Sequence, residues 1–331
     1  MKAIRAHDFG GPENLCLDDI PTPRPGPGEV LIGIRAAGVN PADTYMLTGR
    51  YAIRPDLPYI PGGDCTGFIA GLGEGVDSFA VGDRVFVSAA LGRDLSGCYA
   101  EYATRPAENV IPLPGNVDFA SAAALGVPYV TAHLALFGRG RARAGENLFI
   151  HGASGAVGIA ATQLARRAGL RVLGSAGSAA GLDRVRAEGA DLVVDHGANG
   201  YLDHIREATG GAGPDLILEM LANINLAADM ELAAKRGRIV IIGCRGDVTI
   251  SPRVAMMKEL DILGTAIWNM ERDEVVASLR DVIAALTEGS LAPVVGRSYP
   301  LAEAAEAHRE LMRPGTNGKI VLAMDEFSRE T

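Results

Sequence analysis

The string Gly152-Ala153-Ser154-Gly155-Ala156-Val157-Gly158 follows an apolar run at 147–151 and opens a helical pattern over 157–168. A strand that turns sharply into a helix leaves backbone N–H groups unpaired at the helix start, and small residues let an anion reach them. Against the pattern G-x-G-x-x-G, Ala153 replaces the first glycine while Gly155 and Gly158 keep the other two. The string stands at the first strand-to-helix junction of a βαβ unit, so it reads as a pyrophosphate-binding turn for a dinucleotide.

The rhythm of strand, glycine-rich turn and helix continues from there. Strands are expected at 147–151, 171–175, 192–195, 215–220, 238–243 and 262–267, with helices at 157–168, 182–188, 201–209 and 226–234. Alternation of this kind, with apolar strands, indicates a doubly wound parallel sheet. Before residue 113 the spacing is all-β instead, with short segments at 30–36, 67–71, 85–89 and 99–103 cut by Gly and Pro. Beyond Trp268 come two helical stretches, 273–287 and 302–312, and a last strand at 319–322 that needs a sheet to join. The reading is therefore an α/β chain with a discontinuous β domain, 1–124 and 268–331, interrupted by a nucleotide domain at 125–267. At 331 residues the chain exceeds the roughly 250 to 300 at which one core usually stops growing.

The net charge of -9 argues against a general nucleic-acid or anionic-membrane binder, because phosphate binding needs clustered positive charge. The one dense basic group, Arg139, Arg141 and Arg143, follows the apolar helical stretch 131–137, where cations favour the negative end of the helix dipole. Cys16, Cys65, Cys98 and Cys244 form no C-x-x-C pair, which fits a reducing cytoplasm. Neither a signal peptide nor a membrane span is expected, since no apolar run reaches ~18 residues. Cofactor type is read at the end of the second strand of the sheet, where an acid would hold the ribose 2′-OH of NAD. Ser175, Ala176, Gly177 and Ser178 stand there, and the missing carboxylate favours NADP(H). Arg184 is the nearest following cation, with Asp183 beside it.

The order of domains resembles the medium-chain dehydrogenase/reductase superfamily, in which a GroES-like β-barrel domain is joined to a Rossmann domain. Zinc members of that family carry a Cys near Asn40 and a Gly-His-Glu motif near Gly62. Here the residues are Gly38-Val39-Asn40-Pro41 and Pro61-Gly62-Gly63-Asp64, and 91–100 holds only Cys98, so no zinc is expected. The strings Ala37-Gly38-Val39-Asn40-Pro41-Ala42-Asp43-Thr44-Tyr45, His151 to Gly158, Glu219-Met220-Leu221-Ala222-Asn223-Ile224-Asn225 and Ile242-Gly243-Cys244-Arg245-Gly246 look like the zinc-independent NADPH:quinone reductases of the zeta-crystallin type. That resemblance implies cofactor contacts at Tyr45, Ser154, Gly155, Ala156, Val157, Gly177, His196, Asn225, Ile242, Gly243, Cys244, Arg245, Thr265, Ala266 and Ile267, and Thr131, at the domain junction, is a candidate wall residue for the nicotinamide.

With neither a metal nor a nucleophile and base in view, the chemistry left to the protein is positioning: NADPH carries the hydride and an electrophile receives it. Tyr45, Asn40 and Tyr51 lie on the segment that the resemblance places at the nicotinamide, with Tyr45 first for holding the acceptor or donating a proton. The loops 48–59 and 91–97 would shape the acceptor pocket. A quinone is the leading acceptor. The alternatives are an activated C=C bond in an enone, alkenal or enoyl thioester, and a nucleotide-binding protein with little turnover. The strand at 262–267 ends the inferred sheet, and an unpaired apolar edge predicts a homodimer or a dimer of dimers.

Overall fold

In the first unit, Val30, Ile32 and Ile34 are fully buried along the strand Glu29–Val39, which is the spine of the β domain. One of its edges pairs antiparallel with Asp64–Leu72. Its other edge is shared: Tyr102–Pro106 takes residues 29–33, and the chain's last strand, Lys319–Ala323, takes 36–39. The sheet runs Val295–Pro300, Lys319–Ala323, Glu29–Val39, Asp64–Leu72, Arg84–Val87, Val110–Pro112, and the final strand thus finds the N-terminal sheet as expected. A Cβ at Gly67 would lie 2.0 Å from the carbonyl oxygen of Gly33, so these strands approach as they do only with glycine there. Lys2–Ala6 and Leu15–Asp19 form a separate two-stranded sheet.

The computed structural model describes residues 1–51, 53–92, 96–313 and 315–324. Parts of the loops 48–59 and 91–97, namely 52 and 93–95, lie outside the described residues, as do 325–331 of the expected β domain. The chain divides into Met1–Val127 with Pro293–Thr331, and Pro128–Ala292. Both expected boundaries therefore move. Residues 125–127 go to the first unit, where Val127 N donates to Asp64 Oδ2 at 2.9 Å. Residues 268–292 go to the second. There the helix Arg272–Thr287 buries Val275, Leu279, Val282 and Leu286, and Gln163 clasps Ala292 through both its backbone groups at 2.8 and 3.1 Å.

The second unit is a six-stranded parallel sheet in the order Leu192–Asp195, Arg171–Ala176, Asn147–Ile150, Leu216–Glu219, Arg238–Ile241, Asp261–Gly264. In chain order this is 3-2-1-4-5-6, the doubly wound arrangement of a Rossmann domain. Leu148, Phe149, Ile150, Leu216, Ile217 and Leu218 are fully buried, the continuous apolar runs that a sheet covered on both faces requires. The last strand is shorter than expected and stops at Gly264. Arg139 Nε donates to the Gly264 carbonyl at 3.0 Å and Arg141 pairs with Asp261, so two members of the basic cluster fasten the edge strand.

Candidate functional site

The first strand of the parallel sheet ends at Ile150, and the helix Ala156–Arg167 begins with Gly155 as its cap. Gly152 turns the chain with φ +58°, and Ala153 N donates to Ser175 O at 2.8 Å, which ties the turn to the neighbouring strand. The helix makes its first bond from Ile159 N to Gly155 O, and no side chain caps it. The amides of Ala156, Val157 and Gly158 thus point out of the helix start, at its positive dipole end. A Cβ at Gly158 would sit 2.5 Å from Ala153 Cα, so the close packing of turn on helix depends on that glycine. These are the features an anionic pyrophosphate requires, and the residues fit the group.

Ser175, Gly177 and His196, at the strand end where the cofactor's ribose is expected, come together. His196 Nδ1 is 3.4 Å from Ser175 Oγ, and a Cβ on Gly177 would meet His196 Nε2 at 2.5 Å. Desolvation, with the neighbouring His151, holds His196 below the usual histidine range. Ser178 Oγ accepts from Gly181 N at 3.1 Å and caps the helix Ala179–Ala187; the Ser154 hydroxyl would be 3.1 Å from a Cβ at Gly181, beside that cap. Arg184 pairs with Glu188 at 3.4 Å, and Asp183 with Arg186 at 2.8 Å.

Two further segments expected at the nucleotide, 219–225 and 242–245, form one hydrogen-bonded platform at the C-terminal ends of neighbouring strands. Ala222 N donates to Gly243 O and Ile242 N to Glu219 O, each at 2.9 Å. Arg245 N donates to Asn223 Oδ1 at 2.9 Å, and a Cβ at Gly243 would stand 2.3 Å from Met220 O. Asn225 donates from Nδ2 to Glu219 Oε1 at 3.2 Å. Cys244 is an exposed thiol whose Sγ donates to Gly246 O at 2.9 Å. Thr265 N donates to Ile241 O at 3.0 Å, its hydroxyl is buried without a partner, and Ala266 leads to the buried Ile267. Thr131 is buried on the helix Gly126–His133.

Asn40, Tyr45 and Tyr51 belong to the first unit. Asn40 caps the helix Pro41–Leu47, with proline at its first position, which a helix tolerates there. Its backbone N–H donates to Asp43 Oδ2 at 2.8 Å and its Nδ2 to Asp64 Oδ2 at 2.9 Å, while Lys319 Nζ donates to its Oδ1. Asp64 also accepts from Ala89 N at 3.0 Å, and Tyr99 OH donates to Asp43 Oδ2 at 3.0 Å. Burial pushes Asp43 up to about 7 against the pull of the Asn40 amide and Lys319, and burial likewise lowers Lys319. Asn40 is 1 % exposed, so its amide serves this buried cluster. The helix it caps carries the half-buried Tyr45, whose ring centroid lies 6.1 Å from that of Tyr51. Sequence reasoning did not find Asp43, Tyr99 and Lys319 as a group; the available signal was a lysine inside an apolar strand, Lys319 before Ile320, Val321 and Leu322.

A third polar group, also unforeseen, lies under the phosphate turn. His151 Nε2 is 2.7 Å from Asp229 Oδ1 and 3.3 Å from Glu219 Oε2, all three being buried.

Comparison with known proteins accords with this architecture. Residues 26–115 match the alcohol dehydrogenase GroES-like domain, and 156–284 match the family described as zinc-binding dehydrogenase. The chain is 44 % identical to the quinone oxidoreductase of Rattus norvegicus over 98 % of both chains. Among solved structures, an NAD-dependent alcohol dehydrogenase aligns with a TM-score of 0.89 at 32 % identity, covering 98 % of this chain and 99 % of that one. The Escherichia coli quinone oxidoreductase complexed with NADPH aligns with a TM-score of 0.87 at 25 % identity, covering 98 % and 100 %. The chain belongs to the quinone oxidoreductases of the medium-chain dehydrogenase/reductase family.

Proposed function

We propose that this protein is an NADPH-dependent quinone reductase that works without a metal. The observation that carries the cofactor reading is the uncapped helix start at Ala156–Val157–Gly158 next to a strand end, 175–178, that offers no carboxylate to repel a 2′-phosphate. When bound, NADPH supplies the hydride. The protein's part is to hold the pyrophosphate on the turn amides, seat the nucleotide beside Gly177 and His196, and support it on the Met220–Asn225 and Ile242–Arg245 platform. Tyr45 orients the quinone and offers its hydroxyl to the oxygen on which charge develops. Asn40 acts as a positioning residue, since it fixes the start of the helix that carries Tyr45.

The family description names zinc, and the residues at 40 and 62–64 do not fit it. Asn40 supplies an amide, and both Asp64 oxygens accept N–H bonds. The Lys319 ammonium occupies the same cluster and would repel a divalent cation.

A reducing, cytoplasmic setting suits the four free thiols, two of them buried. Among the described residues no helix is long and apolar enough to cross a membrane. A homodimer or dimer of dimers suits the edge strand Asp261–Gly264 and the exposed Met256 and Met257 on the helix just before it. The deciding experiment is steady-state NADPH oxidation with a panel of quinones and enones, with and without chelator. Turnover of quinones that survives chelation supports the reading. Turnover of enones alone, or none with any acceptor, replaces it by one of the alternatives.

A further inference from the structure

Glu219 ends the strand Leu216–Glu219, Asp229 lies on the helix Ala222–Leu232, and His151 is the first residue past the strand that feeds the phosphate turn. Both carboxylates are fully buried, yet Glu219 Oε2 and Asp229 Oδ2 have no partner if both groups are treated only as acceptors. One proton resolves this. The two carboxylates meet at one His151 nitrogen, with ligand atoms of the three groups within 4.8 Å of one another, and a proton on Glu219 shared with Asp229 would satisfy both orphaned oxygens. Asp229 then takes a second bond from the N–H of a neutral His151 at 2.7 Å. The other oxygen of Glu219 accepts from Leu221 N and from Asn225 Nδ2.

We propose that Glu219 is a positioning residue of the nucleotide site, a protonated acid that bridges Asp229 to the Leu221–Asn225 turn, so that NADPH binding and proton retention support one another. The proposal rests on the NADPH reading above. Burial pushes both carboxyls up to about 7, and it lowers His151. The other titratable groups facing the triad are His196, whose field reaches His151, and Tyr201, which feels both carboxylates. Loss of the Glu219 proton would leave two buried negative charges beneath a turn that must accept an anionic pyrophosphate. An anionic ligand therefore favours the protonated triad, and by reciprocity the protonated triad favours the ligand.

The test is NADPH affinity by nucleotide fluorescence from pH 6 to 9 in the wild type, Glu219→Gln and Glu219→Ala. The amide of Gln copies the protonated acid: it accepts on one side and donates to Asp229 on the other. Wild-type affinity is expected to fall by about tenfold across this range, the scale of an ordinary coupling between two sites. Glu219→Gln should bind with a flat profile, and Glu219→Ala should bind weakly at every pH. The difference between the wild-type and Gln curves removes the titration of His196, Tyr201 and the 2′-phosphate, which all three proteins share. Two readouts on the apo protein separate a failure here from a failure of the NADPH reading. The wild-type minus Glu219→Gln infrared difference at pH 6.5 should contain the carbonyl band of a protonated carboxylic acid, with the contribution of Asp43 cancelling in the subtraction. The wild type should also lose stability relative to Glu219→Gln as pH rises from 4.5 to 7, because the folded state holds the extra proton in that window. Parallel affinity profiles in wild type and Gln, absence of the band, or a stoichiometric metal on the triad in place of the proton would each overturn the proposal.

Discussion

Lys319 Nζ donates to Asn40 Oδ1 across 279 positions of sequence, tying the chain's last strand to the residue that opens the Pro41–Leu47 helix. Lys319 is 2 % exposed, and its charge is balanced by Asp64 and Asp43. An internal ion group of this kind is a weak source of net stability but a strong constraint, since loss of one member strands the others in low dielectric. Lys319→Met should therefore destabilise the protein by about 3–5 kcal/mol in urea unfolding. A loss below about 1 kcal/mol would mean that the carboxylates keep protons in place of the lysine.

His308 adds an acid-sensitive contact on the same unit. Its Nδ1 is 3.0 Å from Thr44 Oγ1, its ring meets Tyr99 edge-on, and burial pushes its pKa down to about 4. Between pH 6.5 and 4 the unfolded chain binds a proton that the folded chain refuses, so this group's contribution is lost as pH falls. The full effect is about 3 kcal/mol for one proton across that window. The raised carboxyls Asp43, Glu219 and Asp229 run the opposite way, with stability falling as pH rises. The measurement is accordingly the difference between wild type and His308→Gln, which should shrink as the solution is acidified. A difference that is constant with pH would show that His308 is charged in the folded state.

Cofactor preference has its own prediction. Arg184 lies on the helix after 175–178 and pairs with Glu188, while Arg245 lies just past the C-terminal end of the strand Arg238–Ile241, where open parallel sheets bind their ligands. NADPH should bind more tightly than NADH, and Arg245→Ala should erase more of the difference than Arg184→Ala. A charge-assisted bond of about 1.5–3 kcal/mol corresponds to roughly tenfold or more in affinity. Titration of both cofactors against both variants decides it, and equal affinities for NADPH and NADH in the wild type would refute the reading of 175–178.

Much of this architecture was legible before any coordinates. Buried parallel strands such as 147–150 and 216–219 are unbroken apolar runs between glycine turns, so their number and their places along the chain followed from periodicity. Helix starts were less visible. The helices Ala179–Ala187 and Ala222–Leu232 begin with small residues that carry no apolar period, and both were expected three to four residues late. The helix Pro252–Lys258 was missed because it exposes Met256 and Met257, which breaks the pattern of one buried stripe; the Ser251-Pro252 start was its only signal. Clusters were the least legible. His151 and Asp229 are 78 residues apart, and a lone Asp or Lys in a sequence reads as a solvated side chain until the fold closes around it.

Assembly is tested through the edge strand. Arg139 and Arg141 cover part of Asp261–Gly264, and the remaining edge, with Met256 and Met257 exposed beside it in sequence, suits antiparallel pairing with a second copy. Light scattering at micromolar concentration should give at least a dimer, and Met257→Glu should shift it toward monomer. A monomeric wild type would count against the edge pairing.

Tyr45 should matter more than Tyr51 for turnover. It sits on the helix whose start is locked by Asn40, Asp43 and Lys319, whereas Tyr51 lies beyond the Gly49 turn, where φ is +70°. If the Tyr45 hydroxyl meets the acceptor oxygen only as charge develops, Tyr45→Phe should lower kcat and kcat/KM together. General acids commonly contribute about 10²- to 10⁴-fold. A hydroquinone anion is stable enough to take its proton from water, so with quinones the loss should fall at or below the lower end of that range. An enolate is more basic, and with an enone acceptor the same change should cost more. Stopped-flow hydride transfer in Tyr45→Phe and Tyr51→Phe, with both acceptor types, measures the contrast. Should Tyr45→Phe leave both rates unchanged while NADPH affinity falls, the tyrosine is a wall of the cofactor site and solvent provides the proton.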